Sequence, residues 1–217
     1  MKCIRRVRSE EKEQITQLRI TEFGRSGEFY LQQPDKLEWN RCDDQHMVLA
    51  AWDGSDLPVA TMRAVLITDR DETAAAIECT PPPQINYPAI IFNSAATRKS
   101  HRGLGLNQAL RYHFLIGAIR SRIRTVISPM YEGAPRIAFM IELGYEFSVP
   151  EKCWQTKLTP KRTRIVGLLQ HSKMTHAVRH LMVHRADIIR SYPFKGEPLD
   201  FFESRPKPDS TNNWFCL

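Results

Sequence analysis

Short apolar segments bounded by turns alternate with stretches whose apolar positions recur every three to four residues, and this switching of period sets out most of the chain. Lys2–Arg8 predicts a first strand. Ser9 is placed as the N-cap of a helix with Glu10 and Glu11 in its first turn and Ile15, Leu18 and Phe23 on one face. A further helical piece is expected over Asp35–Arg41. His46–Trp52 and Pro58–Ile67, joined by Asp53-Gly54-Ser55-Asp56, predict a β-hairpin. Asp69–Tyr87, with three consecutive prolines at 81–83, is expected to be a loop, and Ala89–Thr97 a strand. Leu106, Leu110, Phe114 and Ala118 recur every four residues, so a helix runs from near Asn107 to about Arg122.

Thr125–Pro129 is the next strand, Pro135–Leu143 a short helix stopped by Gly144, and Tyr145–Val149 and Cys153–Leu158 two more strands. A central sheet with helices on both faces follows, ending near residue 159. After Pro160 the pattern turns wholly helical. Met174, Val178, Leu181, Met182, Ile188 and Ile189 share one face, with His176, His180, His184 and Asp187 opposite. The expected divisions are a domain over 1–159, a basic helical extension over 160–205 and a flexible tail over 206–217.

Composition narrows the class. The 217 residues are 42% apolar and 25% charged, proportions of a folded globular chain. No apolar run is long enough for a bilayer, and the first twenty residues lack a secretory apolar core, so a soluble cytoplasmic protein is expected. Five scattered cysteines without a Cys-x-x-Cys pair predict reduced thiols rather than a disulfide framework. Most of the net charge of +7 sits between Lys161 and Arg190, where seven Lys/Arg face only Asp187 and four of the seven histidines also lie. His176, His180 and His184 have a metal-like spacing, but no acid stands between them, and a solvated basic face is expected instead of a metal site.

The segment Ala95-Ala96-Thr97-Arg98-Lys99-Ser100-His101-Arg102-Gly103-Leu104-Gly105-Leu106-Asn107-Gln108 carries the candidate chemistry. It is strand, two-glycine loop, then helix. Successive backbone N–H groups in such a loop and in the first helical turn converge on a point that suits an anion such as a pyrophosphate. Gly103 and Gly105 would let the phosphates approach the backbone. A Walker loop is absent, and a Rossmann fingerprint would follow the first strand rather than the fourth. A capped structural turn has the same pattern.

Arg102-Gly103-Leu104-Gly105-Leu106-Asn107 resembles the acyl-CoA-binding motif Q/R-x-x-G-x-G/A of the Gcn5-related N-acetyltransferase (GNAT) superfamily, with Asn107 departing at its last position. The resemblance implies an α/β (α+β) fold with a central mixed, mostly antiparallel sheet flanked by helices, here extended by a C-terminal helical segment. It implies acyl-CoA or acetyl-CoA as co-substrate, with Ala95, Ala96 and Thr97 pairing the pantetheine arm and Arg102 to Gln108 holding the pyrophosphate. Downstream, residues 134–147 resemble the family's N-x-x-A-x-x-x-Y-x-x-L-G-F segment. Pro135 falls near the usual Asn, and Met140 stands where a Tyr commonly protonates the leaving thiolate. Methionine has no proton to give. By the same resemblance a base belongs on the fourth or fifth strand, and the candidates are Glu132 as base and Tyr131 as proton donor.

Leu18-Arg19-x-x-x-Phe23, Trp39, Asp43-Asp44, Met47–Ala51 and Thr61-Met62-Arg63 resemble the acyl-homoserine-lactone synthases and the N-acyl amino acid synthases, with a longer spacing from Phe23 to Trp39. This implies that Arg19, Phe23, Trp39, Asp44 and Arg63 line the acceptor side. An ordinary ion pair between Arg19 and Asp44 is the alternative. The function expected is N-acyl transfer from an acyl-CoA to a primary amine of a small molecule or peptide. An N-acyl amino acid synthase-like enzyme, taking its acyl group from acyl carrier protein docked on the basic C-terminal helix, is a second expectation. A non-catalytic acyl-CoA-binding protein is the third, motivated by Met140. The lack of interleaved aromatics in the basic segment speaks against single-stranded nucleic acid.

Overall fold

A computed structural model describes residues 1–24, 37–54, 57–154 and 163–203. Seven strands form one sheet: β1 (Lys2–Arg6), β2 (Met47–Asp53), β3 (Pro58–Ile67), β4 (Ala89–Thr97), β5 (Thr125–Tyr131), β6 (Glu146–Ser148) and β7 (Arg164–Gln170). Their spatial order is β1-β2-β3-β4-β5-β7-β6. All neighbours are antiparallel except β4 and β5, which run parallel. The helices are α1 (Lys12–Gly24), α2 (Arg41–Gln45), α3 (Arg70–Ile77), α4 (Leu106–Arg120), α5 (Ile137–Glu142), α6 (His171–His184) and α7 (Ala186–Ser191).

Period-two alternation assigns the two faces of the sheet. Met62, Ala64 and Leu66 of β3 and Ile90 and Phe92 of β4 join one cluster with Leu106, Leu110 and Phe114 of α4 and Met174 and Leu181 of α6. Val65, Ile67, Ala89 and Ile91 face the other way, onto Ile77 of α3 and Cys42 of α2. Every residue of β3 is therefore buried. The four-residue recurrence from Leu106 to Ala118 is the stripe that holds α4 to the sheet.

Several expectations need correction. Ser9–Glu11 is a 3-10 turn with Arg8, not Ser9, at the cap position. There Glu11 accepts from the Arg8 amide (2.9 Å) and from both terminal nitrogens of Arg5 (2.6 and 2.5 Å). The second helix lies at Arg41–Gln45, after Asn40 caps it through Cys42 N, whereas residues 25–36 lie outside the described residues. The expected loop after Asp69 contains α3. The Asp69 side chain caps it by accepting from Glu72 N (2.8 Å), and the prolines begin only four residues past its end.

The most consequential correction concerns the segment after Pro160, which is not wholly helical. Arg164–Gln170 is β7, inserted between β5 and β6. Val166 and Leu168 bury on one face of the sheet, Ile165 and Leu169 on the other. A strand covered on both faces is a continuous apolar run, which hydrophobic periodicity alone does not distinguish from buried helix. Gly167 is needed there, because a Cβ would stand 2.6 Å from the Phe147 ring of β6. A boundary at 159 therefore cuts between paired strands. Of the expected Cys153–Leu158 strand, Cys153 makes an isolated antiparallel bridge to Cys79, and 155–158 lie outside the described residues, as does the tail.

That bridge carries a disulfide between Cys79 and Cys153, 74 residues apart, against the expectation of reduced thiols. Density of cysteines along the sequence misses it because the fold, not the spacing, brings the end of α3 to the segment after β6. Cys3 and Cys42 are buried and take part in no disulfide among the described residues. Among the described residues no helix is long and apolar enough to cross a membrane.

Candidate functional site

β4 and β5 pair only at Ala89–Thr125, Ile90–Val126 and Ile91–Ile127. Beyond that rung β4 continues along β3 while β5 continues along β7 as far as Tyr131–Arg164, so the two strands diverge. β4 is also bulged. Thr61 pairs with Ala96 and Arg63 with Asn93, leaving Ser94 and Ala95 opposite Met62, with Ser94 at φ 49°. Beside the end of β4 that β5 leaves unpaired lies a cavity of about 770 Å³, walled by Ala95, Ala96 and Thr97 of β4, by the loop after it, by the start of α4, and by Phe139 and Met140 of α5.

The loop meets the cavity as the glycine spacing requires. Gly103 (φ 80°) and Gly105 (φ 86°) both take left-handed backbone, and Gly105 is the N-cap of α4. No side chain caps that end, so the N–H groups of Leu106, Asn107 and Gln108 lack intrahelical acceptors. A Cβ at Gly105 would stand 2.9 Å from Gln108 Oε1 and 3.3 Å from Ile188 of α7. Leu104 alone of the motif turns away, its side chain half exposed and off the cavity wall.

Three guanidinium groups ring the same cavity: Arg102, Arg136 and Arg185. Arg102 Nη2 is 2.9 Å from Glu22 Oε2 and its Nε donates to Thr97 O (3.3 Å). Arg185, at the junction of α6 and α7, donates from Nε to Gln108 Oε1 (2.9 Å). The basic C-terminal segment thus delivers a cation to the glycine loop. Sequence reasoning missed Glu22, Arg136 and Arg185. Glu22 had a readable signal, lying one turn beyond Arg19 and beside Phe23, which also lines the cavity. At the inner end sits Arg111, one helical turn beyond Gln108 and 3% exposed.

Tyr131 and Glu132 are not brought to this cavity. Because β5 stays paired with β7, its end is led away from β4. The Tyr131 ring lies 5.9 Å from the Arg164 guanidinium, and the exposed Glu132 donates its N–H to Thr163 O (2.8 Å). Neither side chain, expected as proton donor and base, forms part of the wall.

The other five candidates divide. Arg19 is buried and makes two bonds, 2.8 and 2.7 Å, to Asp43 rather than to Asp44. Arg63 Nη1 reaches the same carboxylate (3.3 Å), and its Nε donates to Asn93 Oδ1 (2.8 Å) on β4. Asp43 is the inward residue because it occupies the third position of α2, where it also accepts from Asn40 N (3.3 Å). Asp44 points out, accepting from Trp39 Nε1 (2.7 Å) and pairing with Lys12 Nζ (2.6 Å). Partial burial pushes its carboxyl up, but these two donors outweigh that and hold it below the usual carboxylate range. Trp39, Asp43 and Asp44 border a separate polar cleft of about 290 Å³. Of the expected acceptor residues only Phe23 shares the main cavity.

On α6 the His180 ring lies 6.2 Å from that of His176 and 4.3 Å from that of His184, and its Nε2 is 3.6 Å from Glu142 Oε2. Among the described residues no group of three or more His, Cys, Asp or Glu is placed to hold a metal ion.

No family model and no curated protein matches the chain in sequence. Solved structures match it in fold. A CoA-dependent acyl-homoserine lactone synthase, BjaI, superposes with TM-score 0.62 at 16% identity, over 92% of this chain and 96% of that one. The NAA60 structure from Arabidopsis thaliana, a complex with acetyl-CoA, matches with TM-score 0.53 at 12% identity, over 78% and 99%. FeeM, an N-acyl amino acid synthase from uncultured soil microbes, matches with TM-score 0.52 at 9% identity, over 83% and 99%. The split β4–β5 pair, the glycine loop opening α4 and these superpositions agree, and the chain has the GNAT fold, shared with acyl-homoserine-lactone and N-acyl amino acid synthases.

Proposed function

We propose that the protein is an N-acyltransferase that takes its acyl group from an acyl-CoA and passes it to a primary amine in a ternary complex. The observation that carries this reading is the uncapped N-terminus of α4, opening on a cavity of about 770 Å³ that Arg102, Arg136 and Arg185 also line. Backbone N–H groups and a helix dipole favour a phosphate anion, and guanidinium groups add charge-assisted hydrogen bonds. A pyrophosphate belongs to CoA and not to the phosphopantetheine of a carrier protein, so the loop favours CoA as donor. The pantetheine arm would run inward along the β4 edge that β5 leaves unpaired, its amides pairing with the Asn93–Thr97 backbone. The thioester would then lie between the diverging strands. There the amine lone pair attacks the carbonyl carbon, and the protein contributes chiefly placement and electrostatics.

Thermal denaturation in the presence of CoA, acetyl-CoA, long-chain acyl-CoAs and acyl carrier protein tests the reading. A ligand at 100 times its Kd adds roughly 2.7 kcal/mol, which raises Tm by several degrees. Stabilisation by CoA and its thioesters, lost on Gly105→Val, is expected. A response to acyl carrier protein alone would move the donor to that protein, and no response to any CoA species would refute the proposal.

A further inference from the structure

We infer that Arg111, a buried guanidinium at the inner end of the cavity, receives the negative charge of the departing sulfur during acyl transfer; this rests on the acyl-CoA reading above.

Arg111 projects from α4 to the point where the sheet splits. The last paired rung of β4 and β5 is Ile91–Ile127, and the next residue on each strand is Phe92 and Ser128. Arg111 reaches both. Its Nη1 is 3.5 Å from Ser128 Oγ, and its Cζ lies 5.0 Å from the centroid of the Phe92 ring. The firm hydrogen bond is from Nη1 to Tyr145 Oη (2.8 Å). These partners are neutral. Among the described residues no carboxylate meets Arg111, although it is 3% exposed. A guanidinium withdrawn from water without an anion is costly, and among the described residues the other strongly buried arginines, Arg19 and Arg63, have Asp43. The open side of Arg111 is the cavity. Its counter-ion is therefore expected to arrive with a ligand or to form on one.

The place fits a sulfur better than a phosphate. Arg111 lies about 9 Å along the helix axis from the Gly105 cap, with Arg102 and Arg185 already at that outer end. A pantetheine arm entering from the glycine loop along β4 ends near the apex of the wedge. Met140, buried in the same wall, supplies no proton. In the transfer the amine nitrogen forms its bond to the acyl carbon, the carbon–sulfur bond breaks, and its electron pair leaves on sulfur as thiolate. The proton lost from nitrogen passes to water. Met140 gives the thiolate no proton, and Arg111, oriented by the Tyr145 hydroxyl, is a cation in reach that stabilises it as an anion.

The ionisation of bound CoA tests this without requiring turnover or knowledge of the acceptor. Thiolate absorbance of CoA, followed against pH with and without saturating protein, should show the bound thiol titrating about 1–3 pH units below the free one. Arg111→Gln should return it to the free value while CoA still raises Tm, and Arg111→Lys should keep part of the shift. CoA that binds with its thiol unshifted would overturn the role of Arg111 and leave the acyl-CoA reading standing. CoA that does not bind at all would overturn both. Should Arg111→Gln fail to fold, the comparison of wild-type-bound with free CoA still decides.

Discussion

His113 shows what a single buried group does to the stability of this fold. It projects from α4 between Tyr112 and Phe194, with ring centroids 5.1 and 5.3 Å away, and its Nε2 is buried without a hydrogen-bond partner. Burial pushes its pKa down to about 4, against a smaller opposing effect from a hydrogen bond to the Tyr192 backbone. In the folded protein it is neutral, whereas in the unfolded chain it protonates near pH 6.5. Its contribution is fully present above pH 6.5 and is lost as pH falls through 4, because the unfolded state binds the proton first. Urea denaturation between pH 7 and pH 4.5 should show stability falling, with an upper bound of about 3 kcal/mol for the whole window. Carboxylates such as Glu11 lose their protective ionisation only at lower pH, since Arg5 and the Arg8 amide outweigh burial and depress its pKa. The slope above pH 4.5 should therefore flatten in His113→Leu. A slope unchanged by that substitution would place the proton uptake elsewhere.

At the scale of elements, α6 and α7 are tied to the glycine loop rather than set apart from it. Ile188 abuts Gly105, and Arg185 holds Gln108 at the opening of α4. A charge-assisted bond from Arg185 to a phosphate is worth about 1.5–3 kcal/mol, so Arg185→Ala should weaken CoA binding roughly tenfold or more. Pantetheine, which lacks the pyrophosphate, should bind the variant and the wild type alike in calorimetry, and equal losses for both ligands would argue against a phosphate contact. This connection was not legible in the sequence, where the basic segment looks like a solvated helix face. What was legible depended on local signals at the ends of an element or on a single buried stripe. Pro58–Ile67 and Ala89–Thr97, although covered on both faces, are placed to the residue because turn chemistry bounds them, and the helix over Leu106–Arg120 is placed to within two residues at either end because the stripe from Leu106 to Ala118 is buried. β7 was missed because both its faces are covered and no turn residue separates Gln170 from His171 of α6, and α3 because three prolines nearby masked a capped run of alanines. At the site, the glycine loop could be read from local backbone needs. Asp44 was chosen over Asp43 because adjacent acids differ only in helix phase, and Arg111 gave no sign of its neutral surroundings before the strands were placed.

For the whole molecule the insertion of β7 decides whether the chain is one cooperative unit. β7 pairs with β5 from Thr125–Gln170 to Tyr131–Arg164 and with β6 from Glu146–Leu168 to Ser148–Val166. It leads directly into α6, whose Met174, Ala177 and Leu181 complete the cluster under α4. A chain ending at 159 would keep the glycine loop but leave β5 with an open edge, β6 without a partner and α4 with part of its apolar face in water. Such an edge beside an uncovered core favours aggregation over folding. The 1–159 fragment should therefore show no cooperative thermal transition by circular dichroism and no stabilisation by CoA. A fragment that melts cooperatively and binds CoA would mean that the sheet closes without β7. The same coupling predicts that CoA, bound at the loop, slows amide exchange in α6 through Arg185 and Ile188. Ligand energy gained at the loop is then shared by α6 and α7, which meet it through Arg185 and Ile188. Protection confined to β4 and α4 would instead make the C-terminal helices a separately unfolding layer.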